Sequence, residues 1–79
     1  MEKVTIEIDA KDAIAFQMII NELAKARSKH REFPSIPQIQ LCILAEEFGE
    51  VAKDINDGYY SYTEVAQTAC VCIRMLTGI

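Results

Sequence analysis

Two runs of apolar residues at helical spacing, separated only by a short polar and aromatic stretch around Gly58, do most to narrow what this chain can fold into. In the first, Leu41, Leu44, Ala45, Phe48, Val51, Ala52 and Ile55 fall on one side of a helix at about 100° per residue. Ser35 with Gln38 three residues on, and Pro37 near the first turn, predict a capping-box start, and Gly58 predicts the stop after Asn56 or Asp57. Ser61 with Glu64 repeats the device for a further helix running to about Leu76, whose apolar stripe is Tyr62, Val65, Ala66, Ala69, Cys72, Ile73 and Leu76. Two helices joined so tightly form an antiparallel hairpin.

Upstream, Asp9 is a good N-cap, and Ala13, Phe16, Ile19, Ile20, Leu23 and Ala24 mark a first helix from Ala10 to about Lys29. Before it, Val4, Ile6 and Ile8 alternate with polar residues, the period of a short strand. No second strand signal follows, so this segment either pairs with a symmetry mate or lies as an extended arm. The expected fold is all-α: one domain over residues 1–79, three helices, and a four-helix-type bundle completed by oligomerisation. Composition argues for the last point, because 79 residues that are 51% hydrophobic bury too little of that surface alone.

Cys42, Cys70 and Cys72 are an odd set within apolar runs and read as reduced core residues of a soluble, cytoplasmic protein. No apolar stretch approaches the roughly 18 to 20 residues that span a bilayer. A net charge of −4 without a broad basic surface gives binding to nucleic acid polymers little support.

Opposite the apolar stripe of the second helix, Glu46, Glu47, Glu50 and Asp54 share a sector of about 100°, with Ile43 among them. Like charges three and four residues apart cost a helix a few tenths of a kcal/mol, so a compensating partner is expected. Hairpin pairing brings Glu50 near Gln67 or Thr68 and Asp54 near Glu64. Oxygen ligands from two adjacent helices suit Mg²⁺ serving a phosphorylated substrate. A plainly solvated acidic face stays open, as does a purely local role for Glu64 as capping partner of Ser61. The basic cluster Lys25, Arg27, Lys29, His30 and Arg31 either suits the negative end of the first helix or holds an anionic ligand.

The run Leu44-Ala45-Glu46-Glu47-Phe48-Gly49-Glu50-Val51-Ala52, then Asn56-Asp57, then Glu64-Val65-Ala66-Gln67-Thr68-Ala69, resembles the MazG-like all-α nucleoside triphosphate pyrophosphohydrolases, whose hallmark is EExxE on one helix and ExxD on the next. The resemblance covers about residues 20 to 77. It implies that carboxylates bind Mg²⁺, with Mn²⁺ a possible substitute, and that a nucleoside triphosphate is hydrolysed to the monophosphate and pyrophosphate. Glu47, Glu50 and Glu64 would be the principal ligands, and Glu46, with Glu47, would serve catalysis as a further ligand or by orienting the attacking water. Lys53, Arg27, His30 and Arg31 would contact phosphate. Gln67 stands where the motif has Asp, leaving an amide oxygen as the possible ligand, as in a short subgroup with an ELxQxA pattern. The resemblance also implies a homodimer or homotetramer.

Gln67 motivates a second expectation, a noncatalytic relative that binds nucleotide or a partner, and a bare helical oligomerisation domain is a third. Phe33, Asn21 and Gln17 are the positions considered for a base, while Tyr59, Tyr60 and Tyr62 cluster at the hairpin turn.

Overall fold

The computed structural model describes residues 2–79 as three helices, α1 (Ala10–Lys29), α2 (Pro37–Asn56) and α3 (Tyr62–Thr77). The all-α expectation and the α2–α3 hairpin therefore hold. The expected strand does not form: residues 2–9 have no regular structure, and Val4 and Ile6 are 82% and 76% exposed. A lone strand has no ladder partner for its N–H and C=O groups, which are better left to water.

Local chemistry explains the boundaries. Asp9 stands at the N-cap of α1, although its side chain makes no capping bond and its carbonyl accepts from Asp12 N–H instead. The last turn of α1 carries Arg27 and Lys29, suited to its negative end. The Ser35 capping box is not made. The N-cap of α2 is Ile36, Pro37 opens the helix with its fixed φ, and Gln40 Nε2 donates to the Pro34 carbonyl at 2.7 Å, pinning the connection. After Asn56, Gly58 takes a φ of +83°, and Tyr59 N–H returns to the Asp54 carbonyl at 2.8 Å, a glycine-terminated helix end. Ser61 does cap α3, its Oγ accepting from Glu64 N–H at 3.1 Å.

The packing has α3 at its centre. It lies against both α1 and α2, which do not pack on each other among the described residues. Its buried positions are Ala66, Cys70, Val71 and Arg74, joined by Leu23 from α1. Arg74, only 4% exposed, works as a staple: Nε donates to the Ile79 carbonyl at 2.9 Å, Nη1 to Ala26 at 3.5 Å and Nη2 to His30 at 2.6 Å. Two of those acceptors are carbonyls at the end of α1, where positive charge is favoured: Ala26, which also accepts from His30 N–H at 2.8 Å, and His30 itself. The guanidinium also stacks on Phe33, 5.0 Å from the ring centre.

The expected core stripes are corrected on two helices. On α2, Leu44, Val51 and Ala52 are half-buried, but Leu41, Phe48 and Ile55 are 61%, 67% and 49% exposed. What α2 turns inward is the side bearing Ile43, Glu47, Val51 and Asp54. On α3, Tyr62, Cys72 and Leu76 are exposed while Val71 and Arg74 are buried. Cys42 is likewise exposed, so only Cys70 behaves as the core thiol expected of all three. The physical reason is shortage of chain: α1 covers α3, nothing covers the outside of α2, and the most apolar stripe is left bare. The molecule is a slab of 41 × 34 × 19 Å with 6518 Å² of accessible surface. A compact chain of 8.9 kDa would expose about 4,800 Å².

Candidate metal centre and the cavity beside it

The hairpin brings three carboxylates together. Glu47 and Glu50 sit one turn apart on α2, Glu64 stands in the first turn of α3, and one oxygen from each lies within 4.8 Å of the others. Glu64 thus does not turn back as the reciprocal partner of its own cap: Ser61 receives the Glu64 backbone N–H, and the Glu64 carboxyl joins the cluster. Glu50 acts most strongly on Glu64, and Asp54, its expected neighbour, acts least.

The electrostatics are those of a crowded anionic site. Contact with Glu50, followed by burial and the charges of Glu50 and Glu47, pushes the Glu64 carboxyl above its ordinary value. Burial, then Glu50 and Glu46, pushes Glu47 up as well. Glu47 Oε2 and Glu64 Oε2 are buried without any hydrogen-bond partner. Unpaired buried carboxylate oxygens are costly, and a divalent cation would satisfy both. Hard oxygen donors from three carboxylates fit Mg²⁺ or Mn²⁺ rather than a thiophilic metal. Glu46 stands beside Glu47 on the exposed surface, outside the trio. Gln67 is half-buried one turn after Glu64, and its Nε2 donates to Glu22 Oε1 at 3.3 Å.

Next to the trio lies a cavity of about 710 Å³ between α1, the connection and the α2–α3 hairpin, within the range of small-molecule sites. Glu47 and Gln67 line it together with Glu22, Lys25, Lys29 and His30, and Phe33 and Arg74 line it too. Of the basic residues expected to hold phosphate or another anion, Lys25, Lys29 and His30 reach this space, and Lys53, Arg27 and Arg31 do not. Lys53 pairs with Asp57 at 2.7 Å on the outside of α2. Arg27 is spent on the chain end, donating to the Thr77 hydroxyl at 3.3 Å and the Ile79 carbonyl at 3.4 Å. Arg31 is exposed in the connection and does not line the cavity. Among the positions considered for a base, Phe33 lines the cavity, whereas Gln17 and Asn21 bond each other at 2.8 Å on an exposed face. Tyr60 and Tyr62 pack edge to face at 5.2 Å, away from it.

Glu22 and Arg74 line the cavity without having had a part in the expected site, whereas Lys25, Lys29 and His30 belong to the basic cluster expected to hold an anionic ligand. The signal for Glu22 was periodicity: positions 22, 25, 26, 29 and 30 form one face, and all five line the cavity. Arg27 and Arg31, the other two members of the basic cluster, lie off that face and do not line the cavity. Lys25 and then Gln67 hydrogen-bond Glu22 and hold its carboxyl below the usual carboxylate range.

Fold and site together define a small all-helical chain with a cluster of three carboxylates on a hairpin and a partly basic cavity at its side. Compared with known proteins, the chain matches no family model, no curated protein and no solved structure.

Proposed function

We propose that this chain is a Mg²⁺-dependent nucleoside triphosphate pyrophosphohydrolase of MazG-like type, working in the cytoplasm as a homo-oligomer. The observation that carries this reading is the carboxylate trio, with Glu47 Oε2 and Glu64 Oε2 buried and unpartnered beside a nucleotide-sized cavity. A bound cation would neutralise phosphate charge and make a water more acidic. In this reading Glu47, Glu50 and Glu64 hold the cation and Gln67 lends its amide oxygen. Glu46, at the margin, accepts the proton of the attacking water. Lys25, Lys29 and His30 on the α1 wall receive the charged part of the substrate. Water adds to phosphorus, the bond between the α-phosphoryl group and its bridging oxygen breaks, and monophosphate and pyrophosphate leave.

The bare stripe of Leu41, Phe48 and Ile55 supports self-association. The surface excess over a compact chain, about 1,700 Å², exceeds the roughly 800 Å² per partner of a standard interface. A second copy packed on α2 would complete a four-helix arrangement.

The test is release of pyrophosphate rather than orthophosphate from a panel of triphosphates in Mg²⁺ and Mn²⁺, lost in Glu47→Ala and Glu50→Ala. No turnover across the panel sinks the reading. Gln67 favours a second one, a noncatalytic nucleotide binder; metal-dependent nucleotide binding without hydrolysis would select it.

A further inference from the structure

Glu22 comes from α1, the helix that supplies none of the trio, and its side chain is only 14% exposed. Its two oxygens have separate partners: Oε2 accepts from Lys25 Nζ at 3.1 Å, and Oε1 accepts from Gln67 Nε2 at 3.3 Å. An amide is planar and carries its nitrogen and oxygen on opposite sides, so a nitrogen committed to Glu22 fixes where the oxygen points. Gln67 Oε1 accepts no hydrogen bond among the described residues. Gln67 follows Glu64 by one turn on the same helix and shares the cavity wall with Glu47. Aspartate at position 67 could not make this bond, because two ionised carboxylates have no proton to share and repel each other. Glu22 and Gln67 are chemically matched.

We propose that Glu22 is a positioning residue for the metal centre: by accepting the Gln67 Nε2–H, it orients the amide oxygen of Gln67 as a neutral ligand beside the three carboxylates. The proposal rests on the metal-binding reading above. It assigns α1 a part in a centre otherwise built from the hairpin, and it explains how an amide serves at a place where the resemblance calls for an acid. Removal of an outer partner of this kind typically weakens metal binding 10- to 100-fold.

The experiment is calorimetric titration of the purified full chain with Mn²⁺ at fixed ionic strength and pH, with metal-free thermal melts alongside. Glu22→Ala is expected to weaken Mn²⁺ binding about tenfold or more. Glu22→Gln, which keeps an acceptor oxygen at that place, is expected to stay within about threefold of the parent, a rescue that loss of packing alone would not predict. Glu22→Ala added to Gln67→Ala is expected to cost little beyond Gln67→Ala, because both remove one interaction. Should Glu22→Ala melt too low to titrate, Glu22→Met keeps the volume without an acceptor and carries the same expectation. Parent-like affinity in Glu22→Ala, equal losses in the alanine and glutamine variants, or additive losses in the double variant would each overturn the positioning role while leaving the metal reading in place. Absence of Mn²⁺ binding by the parent would overturn the metal reading, and this role with it.

Discussion

Replacing Glu47 by glutamine is expected to raise the stability of the metal-free protein and abolish most of what a divalent cation adds. Three carboxylate oxygens lie within 4.8 Å of one another. At that separation a pair of unit charges repels by about 0.9 kcal/mol in a water-like medium and about 3.5 kcal/mol at an effective dielectric constant of 20. Glu50 is exposed, so screening keeps each pair toward the lower figure. Glu47 has two such neighbours and is itself partly buried, and an isosteric amide removes both repulsions at once. The gain is about 1 to 2 kcal/mol, which in a chain of this size moves the melting midpoint up by about 5 to 12 °C. With Mn²⁺ the order reverses: at a hundredfold excess over Kd the parent gains about 2.7 kcal/mol, and the variant, short of a ligand, gains far less. Circular-dichroism melts of both proteins at pH 8, with chelator and with millimolar Mn²⁺, read the four midpoints. A variant that melts at or below the parent in chelator, or that gains as much from Mn²⁺, would refute a crowded, cation-seeking trio.

The pH dependence carries a matching sign. Carboxyls raised in the folded state, Glu47 and Glu64, give stability that is complete below their ordinary value of 4.5 and is lost as pH rises through the raised values; metal-free melts should therefore fall from pH 4.5 toward neutrality, and Glu47→Gln should flatten that fall. Glu22, held low, acts oppositely: its contribution is present above the ordinary value and disappears as pH drops through the depressed one, so Glu22→Gln should show a shallower acid limb in urea titrations. Arg74→Met removes the donors to three backbone carbonyls and is expected to cost about 3 kcal/mol in urea unfolding, with Arg74→Lys recovering part of it. Phe48→Glu should shift sedimentation equilibrium toward the monomer without moving far-ultraviolet circular dichroism, since this ring is 67% exposed in the single chain.

Helix number, order and extent were legible because they depend on neighbours in sequence: a 3.6-residue period, Pro37 at the start of α2, the glycine stop after it and the Ser61 cap of α3 fix the helices almost to the residue. Which face turns inward was not. On α2 both sides could plausibly pack, one apolar and one acidic with Ile43 and Val51 at its edges, and the choice depended on where α1 lay. The gathering of Glu47, Glu50 and Glu64 could be anticipated from hairpin geometry. Glu22 was visible as a type but not as a participant, because its role comes from α1 crossing α3 some 45 residues away along the chain. Arg74 was hidden for the same reason: its acceptors belong to the end of α1.

The central place of α3 has a kinetic consequence. The α2–α3 hairpin closes through a few residues, whereas the side-chain hydrogen bonds that tie α1 and its C-cap to α3 join partners 44 to 51 positions apart, among them Cys70 with Ile19 and Arg74 with Ala26 and His30. Closing the longer loop costs more chain entropy, so the hairpin is expected to assemble first and α1 to dock last. The acidic trio then exists before the cavity does, and a cation captured by the nascent hairpin would give α1 a finished surface on which to settle.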